Sequence, residues 1–549
     1  MTTEDTAEVE VLVVGAGPVG LTLACALADN DVRVRIVDKL EHWSPLSKAM
    51  TLTPRTLECF RMLGVDAECL RAGIMSRRIN HYTQRGRVIG VADLAQLEGD
   101  HPGLLQLSQG DTTGILDRAA VDRGVTVERG RALTDIDIDG DSHRCHLRDT
   151  DGRTSTVTAR FVVGADGGRS RVREIVGAVF DGAEQDETFI MADIEMSGFP
   201  YHAHERHQFW LDEGTFLAVL PINGSMFRLV STCRVAATEV DEEFVLQRFR
   251  EVLRAVGLDA VTLGDPYWVS RFNPRQFIAD SFRSEGIFLV GDAAHVQSPI
   301  GAQGLNTGIQ DSIDLAWKLA LVLRAKAGDA LLDSYHGERF PVAQSLFDYN
   351  NMLSERVFGR NRWRRKRLRG QNKRLNRRAY HAAEIAKLSQ FAVAYPAPAG
   401  TVRRSRVIPG RRMPTCALTT TSGPFDLLRE LGARRHVILA FAGAHDTTES
   451  LVGTALERYR ELLGDNAFRA YTVHERVSPG QRFDQPAGPH ALIDIAGRCR
   501  AELGLQLRDV VVVRPDGYVG AVADAESLST LDDFLDRLFV GPPNSVPRR

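Results

Sequence analysis

The chain has 549 residues, of which 43% are hydrophobic and 25% charged, and its formal net charge is −3. This composition is typical of a soluble globular protein of two to four domains. No run of about 20 apolar residues could span a membrane, and the acidic residues 1–10 lead straight into a strand, unlike a signal peptide. Seven scattered cysteines without C-x-x-C or metal-ligand spacing predict reduced thiols in a cytoplasmic protein without a metal site.

The N-terminal residues predict a strand, a glycine-rich turn and a buried helix. The apolar residues 9–14 precede Gly15-Ala-Gly-Pro-Val-Gly20, the context of a dinucleotide-binding turn. Gly15 would permit the tight turn and Gly17 would let the backbone approach a pyrophosphate. Gly20 would let the helix pack closely on the strand. The phosphates would then lie at a helix N-terminus, which favours negative charge.

A second strand, predicted over residues 32–37, ends at Asp38. In dinucleotide-binding folds a carboxylate about 20 residues after the glycine turn accepts hydrogen bonds from the ribose hydroxyls. The sequence therefore assigns that role to Asp38.

Two further glycine motifs follow predicted strands. Gly164-Ala-Asp-Gly167 follows the strand 159–163, and Gly291-Asp-Ala-Ala-His295 follows the strand 286–290. Asp292 is thereby placed at the carboxyl end of a strand, where such sheets bind ligands. A loop with two glycines and two side-chain amides (301–306) and a long helix (307–325) come next, so a second helix N-terminus would face the ligand. Together the three motifs outline an FAD site.

In order and spacing, these motifs resemble those of the single-component FAD-dependent aromatic hydroxylases, which include the para-hydroxybenzoate, phenol, hydroxyphenylpropionate and aromatic-polyketide hydroxylases. The match is strong over residues 8–345 and weaker beyond. The resemblance implies an α/β fold: a Rossmann-like FAD-binding domain, an inserted β-sheet substrate domain and a C-terminal thioredoxin-like domain. The corresponding ranges are 1–75, 107–180 and 280–400 for the first, 76–106 and 181–279 for the second, and 401–549 for the third.

The resemblance also implies which residues contact the cofactor. Asp38 matches the adenosine-ribose carboxylate and Asp292 the ribityl carboxylate, and Asp166 matches a motif credited with both FAD and NAD(P)H contacts. Where the relatives usually have Arg, this chain has Lys48. The change replaces the bidentate guanidinium fork of Arg by the point charge of Lys. The full expected set is Gly15, Gly17, Pro18, Gly20, Asp38, Lys39, Lys48, Arg55, Gln109, Asp166, Gly167, Asp292, Pro299, Gly301, Gln303, Gly304, Leu305 and Asn306.

The chemistry that the resemblance implies is hydroxylation of a small phenolic or hydroxylated heteroaromatic substrate. NADPH or NADH reduces FAD, O2 adds at the flavin C4a carbon, and the hydroperoxide delivers one oxygen to the ring. The biological setting would be natural-product biosynthesis or aromatic catabolism. Two alternatives stay open: epoxidation or Baeyer–Villiger insertion on a polyketide-like substrate, and a flavin-containing protein that binds nucleic acid or membrane.

The predicted substrate domain has alternating strands, for example 207–211, 216–220 and 226–230, which predict a sheet with one buried face. Polar and aromatic members of these segments are candidates for the pocket. His207, Tyr82 and Asn223 are candidate catalytic residues, His204 is a further lining candidate, and Trp210, Pro299 and Gly301 are candidate substrate contacts. For each aromatic residue taken singly, a place in the core is the commoner outcome.

Residues 360–378 contain eleven Lys or Arg and no carboxylate. Such a run could bind nucleic acid or an acidic membrane surface, but a solvated helix or a subunit contact, for instance in a homodimer, is the favoured interpretation. We therefore expect neither a nucleic-acid nor a membrane partner. Further on, residues 510–520 predict a hairpin around Pro515-Asp-Gly517. The absence of C-x-x-C argues against thiol redox catalysis in this region.

Overall fold

The computed structural model describes residues 7–43, 49–140, 142–184, 187–211, 215–233, 235, 240–298, 301–358, 378–396, 405–442, 468–476, 490–524 and 529–539. The helices in these ranges are α1 (Pro18–Asp29), α2 (Pro54–Met62), α3 (Asp66–Ala72), α4 (Gln109–Asp122), α5 (Arg171–Ile175), α6 (Glu242–Ala255), α7 (Gly304–Leu323), α8 (Ala330–Phe358), α9 (Arg378–Leu388), α10 (Leu427–Leu431), α11 (Arg498–Leu503) and α12 (Ser529–Phe539). None of them is both long and apolar enough to cross a bilayer. The basic run at 360–377 lies outside the described residues.

The strands before α7 are β1 (Ala7–Val14), β2 (Val34–Asp38), β3 (Thr51–Leu52), β4 (Ile74–Ser76), β5 (Arg78–Thr83), β6 (Val88–Asp93), β7 (Leu104–Gln106), β8 (Val127–Arg129), β9 (Arg131–Asp139), β10 (Ser142–Asp149), β11 (Thr154–Gly164), β12 (Phe180–Glu184), β13 (Thr188–Ser197), β14 (Arg206–Trp210), β15 (Phe216–Asn223), β16 (Met226–Cys233), β17 (Thr262–Phe272), β18 (Arg275–Ala279), β19 (Arg283–Ser284), β20 (Ile287–Leu289) and β21 (His295–Val296). Those after it are β22 (Thr419–Thr420), β23 (Gly423–Pro424), β24 (His436–Ala442), β25 (Phe468–Arg476), β26 (Ala491–Ile495), β27 (Asp509–Val513) and β28 (Val519–Asp524).

An eight-stranded sheet, here called the N-terminal sheet, carries all three glycine motifs. Its central strands run in the order β20-β11-β1-β2-β8 and pair in parallel. The strands β9, β10 and β19 extend it with antiparallel pairings. Parallel strands are buried on both faces, and residues 11–13 of β1 are accordingly fully buried. The predicted α/β architecture of this part is confirmed.

Helix α1 packs between the N-terminal sheet and α7. The helix is buried on nearly every side, as expected for a helix enclosed by protein. Its fully buried leucines and alanines are Leu21, Leu23, Ala24, Ala26 and Leu27. Gly308 of α7 makes this contact possible, because a Cβ there would lie 2.9 Å from the Gly291 Cα and 2.8 Å from a Val19 methyl.

A seven-stranded sheet, here called the middle sheet, has the order β17-β13-β16-β15-β14-β5-β6. One face packs on α6 through a cluster that includes Phe209, Leu229 and Phe249; we call it the α6 face. Side chains alternate along each strand, so Ala218 and Leu220 of β15 lie on the opposite face, where they contact Met50. The strands of this sheet come from residues 78–93 and 188–272. These ranges are narrower than 76–106 and 181–279, the ranges expected for the substrate domain.

The remaining strands of those two ranges belong to small three-stranded sheets. In the first, β7 pairs with both β3 and β4, and in the second, β18 pairs with both β12 and β21. Because β21 begins at His295, the second small sheet attaches the middle of the chain directly to the third glycine motif. The first lies against β15.

The last strands form the C-terminal sheet, of order β23-β22-β26-β25-β24-β27-β28. β24, β25 and β26 are parallel, whereas β27 and β28 form an antiparallel hairpin beside them. The predicted hairpin at 510–520 is therefore confirmed. All seven cysteines of the chain are free.

A buried ion cluster joins this hairpin to α7 and α8. Arg514 donates to Asp314 at 2.8 Å, to Glu338 at 2.6 Å and to Asp516 at 2.7 Å. Lys318 donates to Asp314 at 2.8 Å and to Glu338 at 2.6 Å. Burial alone would raise the pKa of Glu338, but Arg514 and Lys318 outweigh it and hold that pKa below its ordinary value.

Replacing Arg514 with Met is expected to destabilise the fold by about 3–5 kcal/mol, because removing one partner leaves buried carboxylates undercompensated. The measurement is the denaturant dependence of far-UV circular dichroism. The control is Arg406→Met, which removes an exposed ion pair with Glu98. Like Arg514, Arg406 belongs to the last part of the chain and pairs with a residue of an earlier part. Its replacement should cost about 1 kcal/mol or less. Equal costs for the two variants would contradict the role given to Arg514.

Candidate cofactor and substrate site

The first glycine turn is packed tightly on one side and open on the other. Gly15 has φ +107°, and a Cβ on it would overlap the backbone of Ala165. A Cβ on Gly20 would overlap the Gly15 carbonyl oxygen. A Cβ on Gly17, in contrast, would meet no atom within 4 Å. The turn therefore presents bare backbone to open space just before α1 begins at Pro18, as phosphate-binding turns do.

Asp38 lies at the end of β2 beside this turn. Its Oδ2 accepts a hydrogen bond from the Ala16 amide at 2.7 Å, and its Oδ1 accepts one from the Leu40 amide at 2.8 Å. These bonds fix the carboxylate, and each oxygen keeps a lone pair for a ribose hydroxyl. Lys39 is exposed next to it, while Lys48 lies outside the described residues.

Asp166 of the second motif is only half satisfied by protein. Its Oδ2 accepts from the Arg171 amide at 2.6 Å and from the Val172 amide at 3.3 Å, which orders the start of α5. Its Oδ1 is buried and has no hydrogen-bond partner among the described residues. Burial raises the pKa of this carboxyl. Gly167 follows with φ +80° and open space around it.

In the third motif, Gly291 has φ +59° and starts a short 3-10 turn over residues 291–293. The Asp292 side chain is accessible to solvent, yet surrounding protein desolvates it and raises its pKa. The Asp292 carboxylate is therefore open to solvent although protein atoms lie around it. Asp292 faces the first residue of α7, since a Cβ on Gly304 would lie 3.9 Å from Asp292 Oδ1.

Asp311 lies in α7, which begins at Gly304. It was not predicted to belong to the site. Its Oδ2 accepts from the Gly291 amide at 3.1 Å and from His295 Nε2 at 2.7 Å, and its Oδ1 accepts from Arg339 at 2.7 Å. Burial would raise the pKa of Asp311, but Arg339 and then His295 outweigh it and lower the pKa to about 2. This carboxylate holds the third motif in place. The sequence did not single it out, because Asp311 is one of several polar residues in α7, among them Gln310, Ser312 and Asp314.

Several of the expected cofactor contacts have other partners in the structure. Asn306 is fully buried: its Oδ1 accepts from Thr53 and Thr56, and its Nδ2 donates to the carbonyls of Thr51 and Ala302. It therefore anchors the start of α7 to α2. Of the loop residues, Gln303 is buried with an unpartnered amide, Leu305 packs on the core, Gly301 lies beside Asn350, and Pro299 is outside the described residues.

Arg55 also departs from expectation. Its guanidinium is 1% exposed, pairs with Glu58 at 2.5 Å and donates to the Asp516 carbonyl of the C-terminal sheet. It lies over the Tyr518 ring. Arg55 thus connects α2 to the C-terminal sheet, and its partners are structural. Gln109 begins α4, and its backbone N–H donates a hydrogen bond to the Ala49 carbonyl at 3.1 Å.

The candidate catalytic residues His207 and Tyr82 are corrected by the structure. Both belong to the aromatic packing of the α6 face, with Tyr82 Oη 3.1 Å from His207 Nδ1 and the other imidazole nitrogen 2.9 Å from the His202 carbonyl. Burial lowers the pKa of His207 and raises that of Tyr82 to about 12. Both side chains therefore point to α6 and away from the opposite face of the middle sheet.

The other candidates divide between the two sides of the middle sheet. Trp210 lies on the face opposite α6, where it donates from Nε1 to His81 Nδ1 at 3.2 Å. Asn223 is exposed at the end of β15. His204 contributes its carbonyl, which accepts a hydrogen bond from Ser76 at 2.9 Å. Trp210 therefore lies on the face of the middle sheet that His207 and Tyr82 do not share.

These residues fit an FAD molecule. The open backbone at Gly17 suits a pyrophosphate, and the fixed Asp38 carboxylate suits a ribose. The unpartnered Asp166 Oδ1 and the accessible Asp292 carboxylate supply acceptors for hydroxyls of the chain between phosphates and ring. The described residues contain no cluster of metal-ligating side chains.

Comparisons with known proteins agree with this assignment. A family described as "FAD binding domain" matches residues 8–350, and one described as "Aromatic-ring hydroxylase, C-terminal" matches residues 406–543. The 6-methylpretetramide 4-monooxygenase of Streptomyces rimosus is 33% identical over 98% of this chain and 95% of its own. The pentachlorophenol 4-monooxygenase of Sphingobium chlorophenolicum is 29% identical over 97% of both.

Solved structures give the same picture. The OxyS anhydrotetracycline hydroxylase of Streptomyces rimosus superposes with a TM-score of 0.75 at 25% identity, over 98% of this chain and 100% of its own. Aklavinone-11 hydroxylase, solved with FAD and aklavinone, gives a TM-score of 0.73 at 25% identity with the same coverage.

The glycine turn allows a test that separates folding from cofactor binding. Gly17 has φ −78° and open space, so Gly17→Val should leave the thermal unfolding of the apoprotein unchanged while FAD affinity falls by about tenfold or more. Gly20→Ala should destabilise the apoprotein itself, because the added methyl overlaps the Gly15 carbonyl. Calorimetry and fluorescence titration with FAD measure both. Wild-type FAD affinity in Gly17→Val would show that the cofactor does not cross this turn.

Asp311 makes a pH-dependent contribution to stability. Because its pKa is depressed in the folded state, the contribution is present above the ordinary aspartate pKa and is lost as the pH falls toward 2. Asp311→Asn should cost about 3 kcal/mol at neutral pH, and the difference from wild type should shrink below pH 4. Denaturation at several pH values measures it, with the exposed Asp333→Asn as control. A pH-independent difference would be the contrary result.

Proposed function

The chain belongs to the family of FAD-dependent aromatic-ring hydroxylases, and on that premise we propose that it hydroxylates a phenolic or hydroxylated heteroaromatic ring with NADPH or NADH and O2. The observation that carries the proposal is that the three glycine motifs come together, with open space at Gly17 and Gly167 and with the carboxylates of Asp38, Asp166 and Asp292 beside them. When bound, FAD supplies the reduction and the oxygen activation.

The chain's own residues bind and orient that cofactor. The backbone at Gly17 and the start of α1 favour the negative charge of the phosphates. The start of α7, opposite Asp292, places a second helix dipole in the cleft. Asp311 accepts hydrogen bonds from the Gly291 amide and from Arg339, and so holds the third glycine motif in place. Rigid placement of this kind is what aligns a reacting ring with a substrate.

We assign the substrate to the face of the middle sheet opposite α6. Phe216, Ala218, Leu220 and Met50 make this face apolar, and Trp210 adds a flat aromatic surface. Such a surface suits a large planar ring system. Relatives named for 6-methylpretetramide, for anhydrotetracycline and for the single-ring pentachlorophenol all cover nearly the whole chain. Because the apolar face with Trp210 suits a large planar ring system, we favour a polycyclic aromatic polyketide in natural-product biosynthesis over a single-ring phenol in catabolism.

We propose the same division of labour for the domains. Residues 1–75, 107–180 and 280–400 would form the FAD-binding domain, and the middle sheet the substrate domain. The C-terminal region would be thioredoxin-like, a proposal supported by the antiparallel β27–β28 hairpin beside the parallel strands β24 and β25. Free cysteines suit a reducing cytoplasm. A homodimer stays a prediction.

The function is tested on the purified yellow holoenzyme. A panel of phenols and polycyclic hydroxyarenes is screened for stimulated NADPH and NADH oxidation under 18O2. We expect a product that gains one labelled oxygen, with the new hydroxyl on an aromatic carbon by NMR. Oxygen inserted next to a carbonyl, or an epoxide, would replace this proposal with the corresponding alternative.

The role of Asp292 is tested by Asp292→Asn. Loss of the charge should weaken FAD binding by about tenfold, because a charge-assisted hydrogen bond is lost. Equilibrium dialysis against FAD measures the change. The control is Asp259→Asn, an exposed carboxylate far from the cleft motifs in sequence. Equal FAD affinity in the two variants would remove Asp292 from the site.

A further inference from the structure

Arg206 begins β14, on the face of the middle sheet that lies opposite α6. Its neighbours in the strand, His207 and Phe209, pack on the α6 face. Because successive side chains of a strand point to opposite faces, Arg206 shares its face with Trp210. It is therefore on the side that the proposed function gives to the substrate.

Apolar residues flank Arg206 on this face. Ile79 is its partner on β5 and packs with Leu104 of β7. On the other side is β15, whose Leu220 packs with Met50. Met50 in turn accepts a hydrogen bond from the Leu107 amide, in the segment leading to α4. Arg206 thus lies in the seam between the middle sheet and the part of the chain that carries the cofactor motifs.

Within the described part of the chain, the guanidinium of Arg206 has no hydrogen-bond or ion-pair partner. The residue is 8% exposed, and its Nε is buried without a hydrogen bond. Among the residues that the structure describes, no carboxylate forms an ion pair with it. Burial lowers the pKa of Arg206 to about 10, and burial is the only cause of that shift. A buried charge in a folded protein is normally paired.

The other buried arginines that the structure describes all have protein partners, although Arg173 donates only to the carbonyls of Ala293 and Gly168, at 3.0 Å each. Arg228, on the same face of the same sheet, donates two hydrogen bonds of 2.7 Å to the carboxylate of Asp193. Arg339 pairs with Asp311, and Arg514 with three carboxylates. Arg206 is an exception within the described residues, which indicates that its counter-ion comes from outside the chain.

We propose that Arg206 is a specificity-determining residue that binds an anionic oxygen of the ring substrate: a phenolate, an enolate or a carboxylate. The proposal rests on the proposed function for the identity of the substrate as an oxygenated ring. The planar guanidinium fork matches a carboxylate, or two neighbouring oxygens of a hydroxylated ring, in a bidentate way. An apolar seam excludes water and so strengthens such a contact.

The first test measures stability without ligand. In Arg206→Met the long apolar stem is kept and the uncompensated charge is removed, so the thermal midpoint of the holoenzyme should rise, by about 2 °C. Arg271→Met, an exposed arginine of the same sheet, should leave the midpoint unchanged. A midpoint that falls in Arg206→Met relative to this control would mean that Arg206 has a structural partner, and would overturn the proposal.

The second test measures binding to the oxidised holoenzyme by perturbation of flavin absorbance. The probes are 1-hydroxy-2-naphthoate and 3-hydroxy-2-naphthoate, each compared with its methyl ester. Wild type and Arg271→Met should bind the acids about tenfold more tightly than the esters. Arg206→Met should lose that preference, and Arg206→Lys should keep part of it, since a point charge replaces the fork.

A preference that persists in Arg206→Met overturns the proposal, and so does a wild-type holoenzyme that binds none of the acids or binds acid and ester alike. Because no NAD(P)H is present, the titration reports binding and not turnover. A protein that binds the acids through Arg206 but never transfers oxygen would contradict the proposed function and leave the anion site intact. A working hydroxylase without acid preference would do the reverse.

Discussion

The structure depends on backbone segments that approach each other with no side chain between them. Gly15 lies against Ala165, Gly20 against Gly15, and Gly308 of α7 against Gly291. Any Cβ at these positions would collide with neighbouring atoms, so only glycine permits the contact. These approaches bring the first turn, the second motif and the third motif to one place. The cofactor cleft is thus created by packing that serves the fold at the same time.

Helix α7 transmits this arrangement to the rest of the molecule. Gly308 touches the third motif, Ser312 donates to the Val19 carbonyl of α1 at 2.8 Å, and Asp311 binds the Gly291 amide. Asp314, three residues after Asp311, binds Arg514 of the C-terminal hairpin. One helix therefore carries both the cofactor loop and the docking of the C-terminal sheet. The ion cluster at its far side makes the position of α7 costly to change, because buried charges tolerate little displacement.

The sequence predicted the parts of the fold that depend on backbone. The three motifs, their strands and the parallel sheet could be read because glycines, strand ends and helix starts have local signatures. Which face of the middle sheet is part of the core could not be predicted in this way. Alternation tells that His207 and Phe209 share a face, but only the position of α6 decides that this face is core. Arg55 illustrates the same limit, since its partner Asp516 lies 461 residues away.

The same contrast explains why the reaction type is easier to infer than the substrate. In the proposed site the cofactor would be held largely by main-chain groups and by carboxylates at strand ends, positions that the fold itself prescribes. The proposed substrate face is defined by side chains such as Trp210, Arg228 and Arg206, which the fold accepts but does not require. Their charges are the informative feature, because an apolar face gives no reason to bury a cation unless something pairs with it. Asp193 gives that reason for Arg228; for Arg206 the reason has to come from the molecule that the face binds.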